Sequence, residues 1–329
     1  MNLELNPLYL IVCFTWLVTA YPLGFIPVIL AAAILFSKAI YVNLLLLLSL
    51  TLVSFVLATF EGKKSRKVLA QKYYLFRLFG VFLAITGLCL QGIGPSALFI
   101  FAGLLIALPS FIWSVVFKRH YEGLSLRAYL YSVVLPALAI LNILFKIKAS
   151  VKADFPQVWD VSLTSLGLST LIFSSFYAYI LQKTKSLLIY LTQAWIGLGM
   201  FLLVIDTSQT MELALASLMS LAMTGALLFA YAKQNSQKAT NFSVAVLIGL
   251  PGFLGFSTYY FAVKSFASLQ INWIWALLVA LFFQVMALMV NQPREYPAAI
   301  KTNIRFWLLV AVQCAATIAF FGFELGIIK

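Results

Sequence analysis

The chain has 329 residues, 64% hydrophobic and 9% charged, with a formal net charge of +13 and a mean hydropathy of +1.04. A soluble globular domain carries about 25% charged residues, so a soluble fold is excluded and an all-α polytopic membrane protein is expected. In a soluble chain the positive charge would suggest nucleic acid; in a membrane protein it marks cytoplasmic loops enriched in Lys and Arg, and no nucleic-acid partner is expected.

The N-terminus, MNLELNPLYL, lacks the basic region of a cleavable signal peptide. Asn6–Phe36 is an apolar run interrupted by Pro22, Gly24 and Pro27. At about twenty residues per span it is long for one helix and short for two, so one or two crossings remain open. Further spans are predicted near 39–60, 74–93, 97–117, 128–146, 160–182, 186–205, 210–232, 241–265, 271–290 and 306–326. The whole chain, 1–329, then forms one transmembrane domain of 11–12 helices. Its parts are N-terminal helices in 1–60, a first half in 74–182, a second half in 186–290 and a C-terminal helix at 306–326. The loops on one side hold sixteen of the 22 Lys and Arg residues, which makes that side cytoplasmic. Trp159, Trp273, Trp275 and Trp307 fall at predicted span ends, as interfacial anchors. Localisation in a bacterial inner membrane is the expectation.

Within this order, Asn241–Phe266 stands out. It is apolar enough to span a bilayer, yet Gly249, Pro251, Gly252 and Gly255 interrupt its middle. Proline removes a donor and clashes with the preceding turn, so a broken helix is expected. Inside lipid such a break survives only where the freed backbone groups find other partners, which is common where transporters handle ions. A packing kink is the plainer alternative. Two helices earlier, Lys185-x-Leu187-Leu188-x-Tyr190-x-Thr192-x4-Gly197 opens another span. Together with Gly249-Leu250-Pro251-x3-Gly255-Phe256, this pattern resembles the antiporter-like membrane subunits of respiratory complex I, of Mrp-type cation/proton antiporters and of membrane-bound hydrogenases. Both order and spacing match. Leu98–Phe111 and Ser125–Pro136 resemble two earlier helices of that family more faintly, with Leu104 and Arg127 where the family has glutamates and Tyr131 near its lysine. A span with a buried lysine that follows in the family is missing. The resemblance covers about residues 75–290.

What the resemblance implies is proton or cation movement along buried lysines and glutamates. An ionisable group at bilayer depth is expensive and is retained for a task. Here the positions hold neutral residues: Tyr259 stands where the family's broken-helix lysine would be, Gln284 is the polar residue of 271–290, and Ser165, Ser169, Thr170, Ser174 and Ser175 line 160–182. The candidate ion-path residues are therefore Gln284, Lys264, Lys185, Ser174 and Tyr259. Lys264 and Glu324 read equally well as interfacial, and Asp206 and Glu212 as hydrated residues at the start of 210–232, near its positive helix end.

No catalytic, cofactor or metal site is expected. Cys13, Cys89 and Cys314 lie far apart in apolar runs, and His120, the one histidine, sits in the basic loop Lys118–Arg127, where it reads as solvated. The basic stretch from Lys63 to Arg77 is a topology signal that would also hold anionic lipid head groups. The expectation is a subunit of a larger complex, partnered by other membrane subunits. Either it conducts, or it has lost conduction and serves mainly as structure. It would be part of an enzyme only through a redox-linked NADH/quinone-type assembly. The alternative is a free-standing secondary transporter of a small molecule, and a lipid-acting membrane enzyme ranks last because no nucleophile–base pair is evident.

Overall fold

The computed structural model describes residues 7–20, 24–61, 67–90, 96–151, 157–181, 184–204, 209–235, 237–267, 274–290 and 304–327. The helices in order are α1 (Pro7–Thr19), α2 (Phe25–Phe36), α3 (Ile40–Glu61), α4 (Lys67–Cys89), α5 (Ser96–Ala107), α6 (Phe111–Val116), α7 (Lys118–Gly123), α8 (Leu126–Tyr129), α9 (Leu135–Val151), α10 (Gln157–Ile180), α11 (Thr184–Leu202), α12 (Gln209–Asn235), α13 (Gln237–Ile248), α14 (Leu254–Ala267), α15 (Ile274–Val290) and α16 (Ile304–Glu324). A π-helical segment, Leu130–Val134, joins α8 to α9. Among the described residues, six helices are long and apolar enough to cross a membrane, and five shorter ones are apolar. With the broken pair α13–α14 these match the expected eleven or twelve. The first apolar run is two helices, α1 and α2.

The chain forms two compact units, one within Ala20–Ser165 and one made of Pro7–Thr19 with the residues from Leu166 onward; the boundary falls inside α10.

In the first unit, α3 and α4 pack against each other, α4 packs on α5, and α9 is enclosed by α2, α3 and α5. The α4–α5 seam is backbone on backbone: a Cβ on Gly103 would meet Gly80 O at 2.4 Å. Small residues allow this closeness in lipid, where dispersion and hydrogen bonds rather than hydrophobicity hold helices together. Two cations, one half-buried and one buried, tie irregular ends. Lys146 on α9 donates to Ile34 O, to Leu35 O (2.9 Å) and to Ser37 O (2.7 Å), covering the carbonyls that α2 leaves open at its C-terminus. Arg77 of α4 donates through Nε to Ala107 O (3.1 Å), at the end of α5 before Pro109, and through Nη1 to Ser132 O (2.8 Å) in the π segment.

Three readings of the sequence need correction here. Arg77 is not a loop cation at the lipid surface: α4 begins ten residues earlier, and the guanidinium is 2% exposed. Residues 62–66 of that basic stretch lie outside the described residues, as does Trp273. His120 is not solvated. It is 2% exposed among Tyr73, Tyr74 and Tyr121, with ring centroids 5.1, 5.8 and 5.9 Å away. A charged neighbourhood in the sequence hid an aromatic one in space. Trp159 is not an exposed anchor either; it stacks on Phe101 at 4.4 Å and 3°, whereas Trp275 and Trp307 are exposed.

In the second unit, α12 is the hub, packed by α1, α11, α13, α14 and α16. Trp16 of α1 donates its indole N–H to Met219 O of α12 at 3.2 Å. Gly197, the last residue of the α11 motif, has a packing role: a Cβ there would meet Leu171 N at 2.5 Å and Gly167 O at 2.8 Å on α10.

Two outcomes follow. Gly197→Ala forces backbone apart, so the apparent unfolding temperature of the purified protein should fall, by an amount corresponding to about 1–3 kcal/mol. Burial first, then the nearby Arg77 charge, push the His120 imidazole from 6.5 down to about 4. The folded state therefore disfavours the imidazolium, and the stability contributed above pH 6.5 is lost as pH falls towards about 4. Thermal denaturation across that window should show this slope in the wild type and a shallower one in His120→Phe.

Candidate functional site

The site grows from the break between α13 and α14. Gly249 has φ +124° and Gly252 φ +89°, conformations that an L side chain rarely adopts, and Pro251 between them has no N–H to continue a helix. The break closes its own backbone bonds. Gly249 N and Leu250 N both donate to Ala245 O (3.1 and 3.0 Å), Phe253 N donates to Leu250 O (3.2 Å), and Phe256 N donates to Phe253 O (3.0 Å). The turn residues Pro251 and Gly252 are exposed, while Leu254 and Gly255 just beyond them are buried. Gly255 presses on α13: a Cβ would meet Val246 O at 2.3 Å and Gly249 N at 3.0 Å. All four expected break residues thus serve one turn, and the hydroxyls of Ser257 and Thr258 bond Leu254 O within the first turn of α14 (3.0 and 2.7 Å).

That turn delivers Tyr259 to the interior, 6% exposed. Its hydroxyl donates to Gln284 Oε1 on α15 at 2.7 Å, and Gln284 Nε2 donates to Ser175 Oγ on α10 at 3.0 Å. Ser175 in turn donates to Leu171 O at 2.7 Å. The direction of this relay is fixed. A hydroxyl has one proton, and that of Ser175 is committed to Leu171 O, so Ser175 must accept from the amide nitrogen. The amide oxygen then faces Tyr259. Two expected residues, Tyr259 and Gln284, are brought together across three helices.

The other candidates lie elsewhere or do less. Ser174, next to Ser175, is buried, and its hydroxyl has no partner among the described residues. Successive helix positions point about 100° apart, so only one of the two serines meets Gln284, and the sequence alone does not select it. Lys264 is an exposed side chain at the far end of α14, ion-paired with Glu324 of α16; it takes no part in the relay. Lys185 opens α11, and its side chain lies outside the described residues. Among the described residues of this unit, no Lys, Arg, Asp or Glu is buried, and no group of three His, Cys, Asp or Glu side chains is placed to hold a metal.

Chemically, this is a neutral, fully ordered hydrogen-bond chain. An amide donates and accepts at different atoms, so it does not pass a proton along as a carboxylate or imidazole does, and a backbone carbonyl ends the line. Tyr259→Phe would leave Gln284 Oε1 buried without its donor. It should lower stability by about 1–3 kcal/mol in thermal denaturation, whereas Ser174→Ala should cost less.

No protein-family model matches the sequence, and no curated protein matches it significantly. Solved structures do match in fold. A chain of the Mrp complex from a Dietzia species superposes with a TM-score of 0.73 at 15% identity, over 96% of this chain and 42% of that one. A chain of the membrane-bound sulfane sulfur reductase, an archaeal respiratory membrane complex, gives 0.69 at 13% identity, over 92% and 73%. A chain of respiratory complex I from Thermus thermophilus gives 0.68 at 18% identity, over 95% and 82%. The fold expected from the two motifs is the fold observed, and this chain spans less than half the length of the Mrp chain.

Proposed function

We propose that the protein is a membrane subunit of a larger ion-translocating complex, in a bacterial inner membrane, and that it serves there mainly as a structural element. The place in a complex is supported by the fold it shares with chains of three multi-subunit membrane assemblies. The structural role is supported by the polarised relay from Tyr259 through Gln284 and Ser175 to Leu171 O. Where an ion pump of this fold would need groups whose charge changes, the relay here offers an amide and hydroxyls already committed to one another. A pKa-tuned Lys–Glu pair can hand a proton on when its neighbour's charge alters; a neutral chain ending on a carbonyl has no equivalent step. The Mrp-like antiport and NADH/quinone-linked chemistry of such assemblies would then be carried by partner subunits.

The purified chain in proteoliposomes under an imposed pH gradient should take up protons no faster than empty vesicles, and Gln284→Leu should leave that rate unchanged. Uptake above the empty-vesicle rate that falls in Gln284→Leu would reverse the assignment in favour of conduction through these groups. In mild detergent the chain should co-migrate with other membrane subunits. Isolation as a stable monomer that a small molecule stabilises would instead favour a free-standing secondary transporter.

A further inference from the structure

The buried guanidinium of Arg77 lacks a counter-charge. Among the described residues no carboxylate pairs with it. Two of its nitrogens hold Ala107 O and Ser132 O, Nη1 also reaches the Tyr73 hydroxyl at 3.5 Å, and Nη2 has no partner. Carbonyl dipoles offset part of the cost, but a full charge kept from water normally ends up paired. One further buried polar atom close by is also without a partner among the described residues, Nε2 of His120; Tyr73 is the shared neighbour, 5.1 Å from the His120 ring, 5.3 Å from the Tyr121 ring and 5.6 Å from the guanidinium carbon.

Arg77 also lines a narrow cleft whose walls include Phe76, Leu108, Pro109, Trp113 and Phe117. The cleft is too narrow for water while Phe76 and Trp113 stay in contact, with ring centroids 4.7 Å apart. Its surroundings are apolar and outward-facing: Phe76 is 42% exposed, and Leu75 and Val115 are exposed beside it. A small hydrated anion would have to shed its water to approach through such walls, whereas an acyl chain is at home there.

We infer that the Arg77 cleft is a binding site for an anionic acyl lipid, whose phosphate head accepts from Arg77 Nη2 while its first methylenes lie against Phe76, Trp113 and Phe117. The parting of Phe76 and Trp113 admits it. This places the anionic-lipid contact at a built site within the first unit rather than along the surface of the basic stretch, and it does not depend on whether the second unit conducts.

Trp113 makes the inference measurable. The full chain in phosphatidylcholine nanodiscs would be titrated with brominated phosphatidylglycerol or brominated phosphatidylcholine, and the Trp113 contribution to quenching isolated by subtracting Trp113→Phe. Phosphatidylglycerol should quench that component at about fivefold lower mole fraction, the factor that corresponds to about 1 kcal/mol for one cation–anionic lipid contact. Arg77→Gln, which keeps every surface cation, should abolish the preference. Equal quenching by the two lipids would overturn the inference, as would a preference that survives in Arg77→Gln. Relief of quenching by excess inorganic phosphate would reassign the site to an aqueous anion. Should Arg77→Gln fail to fold, equal quenching of the wild type by the two lipids still overturns the inference.

Discussion

Every departure from regular helix in this protein has to be repaired from within, because lipid supplies no hydrogen bonds to a freed N–H or C=O. Three irregularities interrupt the apolar helices, and each is repaired differently. The end of α2 is covered by the ammonium of Lys146. The end of α5 and the π segment before α9 share the guanidinium of Arg77. The α13–α14 break folds its own amides back onto Ala245 and Leu250, which only glycine at two positions permits. The first two repairs use Lys146 and Arg77 as backbone clamps, whereas Lys148 of the same unit pairs with Asp160. The third needs no cation: among the described residues of the second unit no Lys, Arg, Asp or Glu is buried, and the amide of Gln284 is hydrogen-bonded in the interior.

Charge in this interior therefore has a different meaning from that in an ion pump. A lysine held by three carbonyls, or an arginine held by two, is fixed by the backbone it completes. Release of either would strand acceptors that have nowhere else to turn. Groups used for transport must change partners within each cycle. The fold thus carries a set of polar contacts that keep irregular helices intact.

Much of this was legible in the sequence because Gly and Pro act locally. The positions of Gly249, Pro251, Gly252 and Gly255 dictate a break whatever surrounds them, and the spacing of Lys185 to Gly197 fixes a helix start and a close approach. The pairing of Tyr259 with Gln284 was within reach, since both are polar residues in apolar spans, which need partners. What stayed hidden depends on contacts between distant segments. Arg77 and His120 sit in basic stretches, and the habit of assigning such stretches to loops conceals a cation that α4 carries inward and an imidazole enclosed by three tyrosines. Trp159 looked like an anchor because its span ends there, yet Phe101 covers it. The end of α5 at Ala107 was missed although Pro109 marks it, because apolar residues continue on both sides.

The placement of α1 bears on how the chain is made. Its indole N–H donor at Trp16 finds its acceptor at Met219, 203 residues further along, and its other helical neighbour is α16. With its acceptor that far downstream, α1, only thirteen residues long, must wait for that part of the chain to be synthesised before its groove exists. During that interval it is a natural client for the insertion machinery, and the second unit can close around it only late in biogenesis.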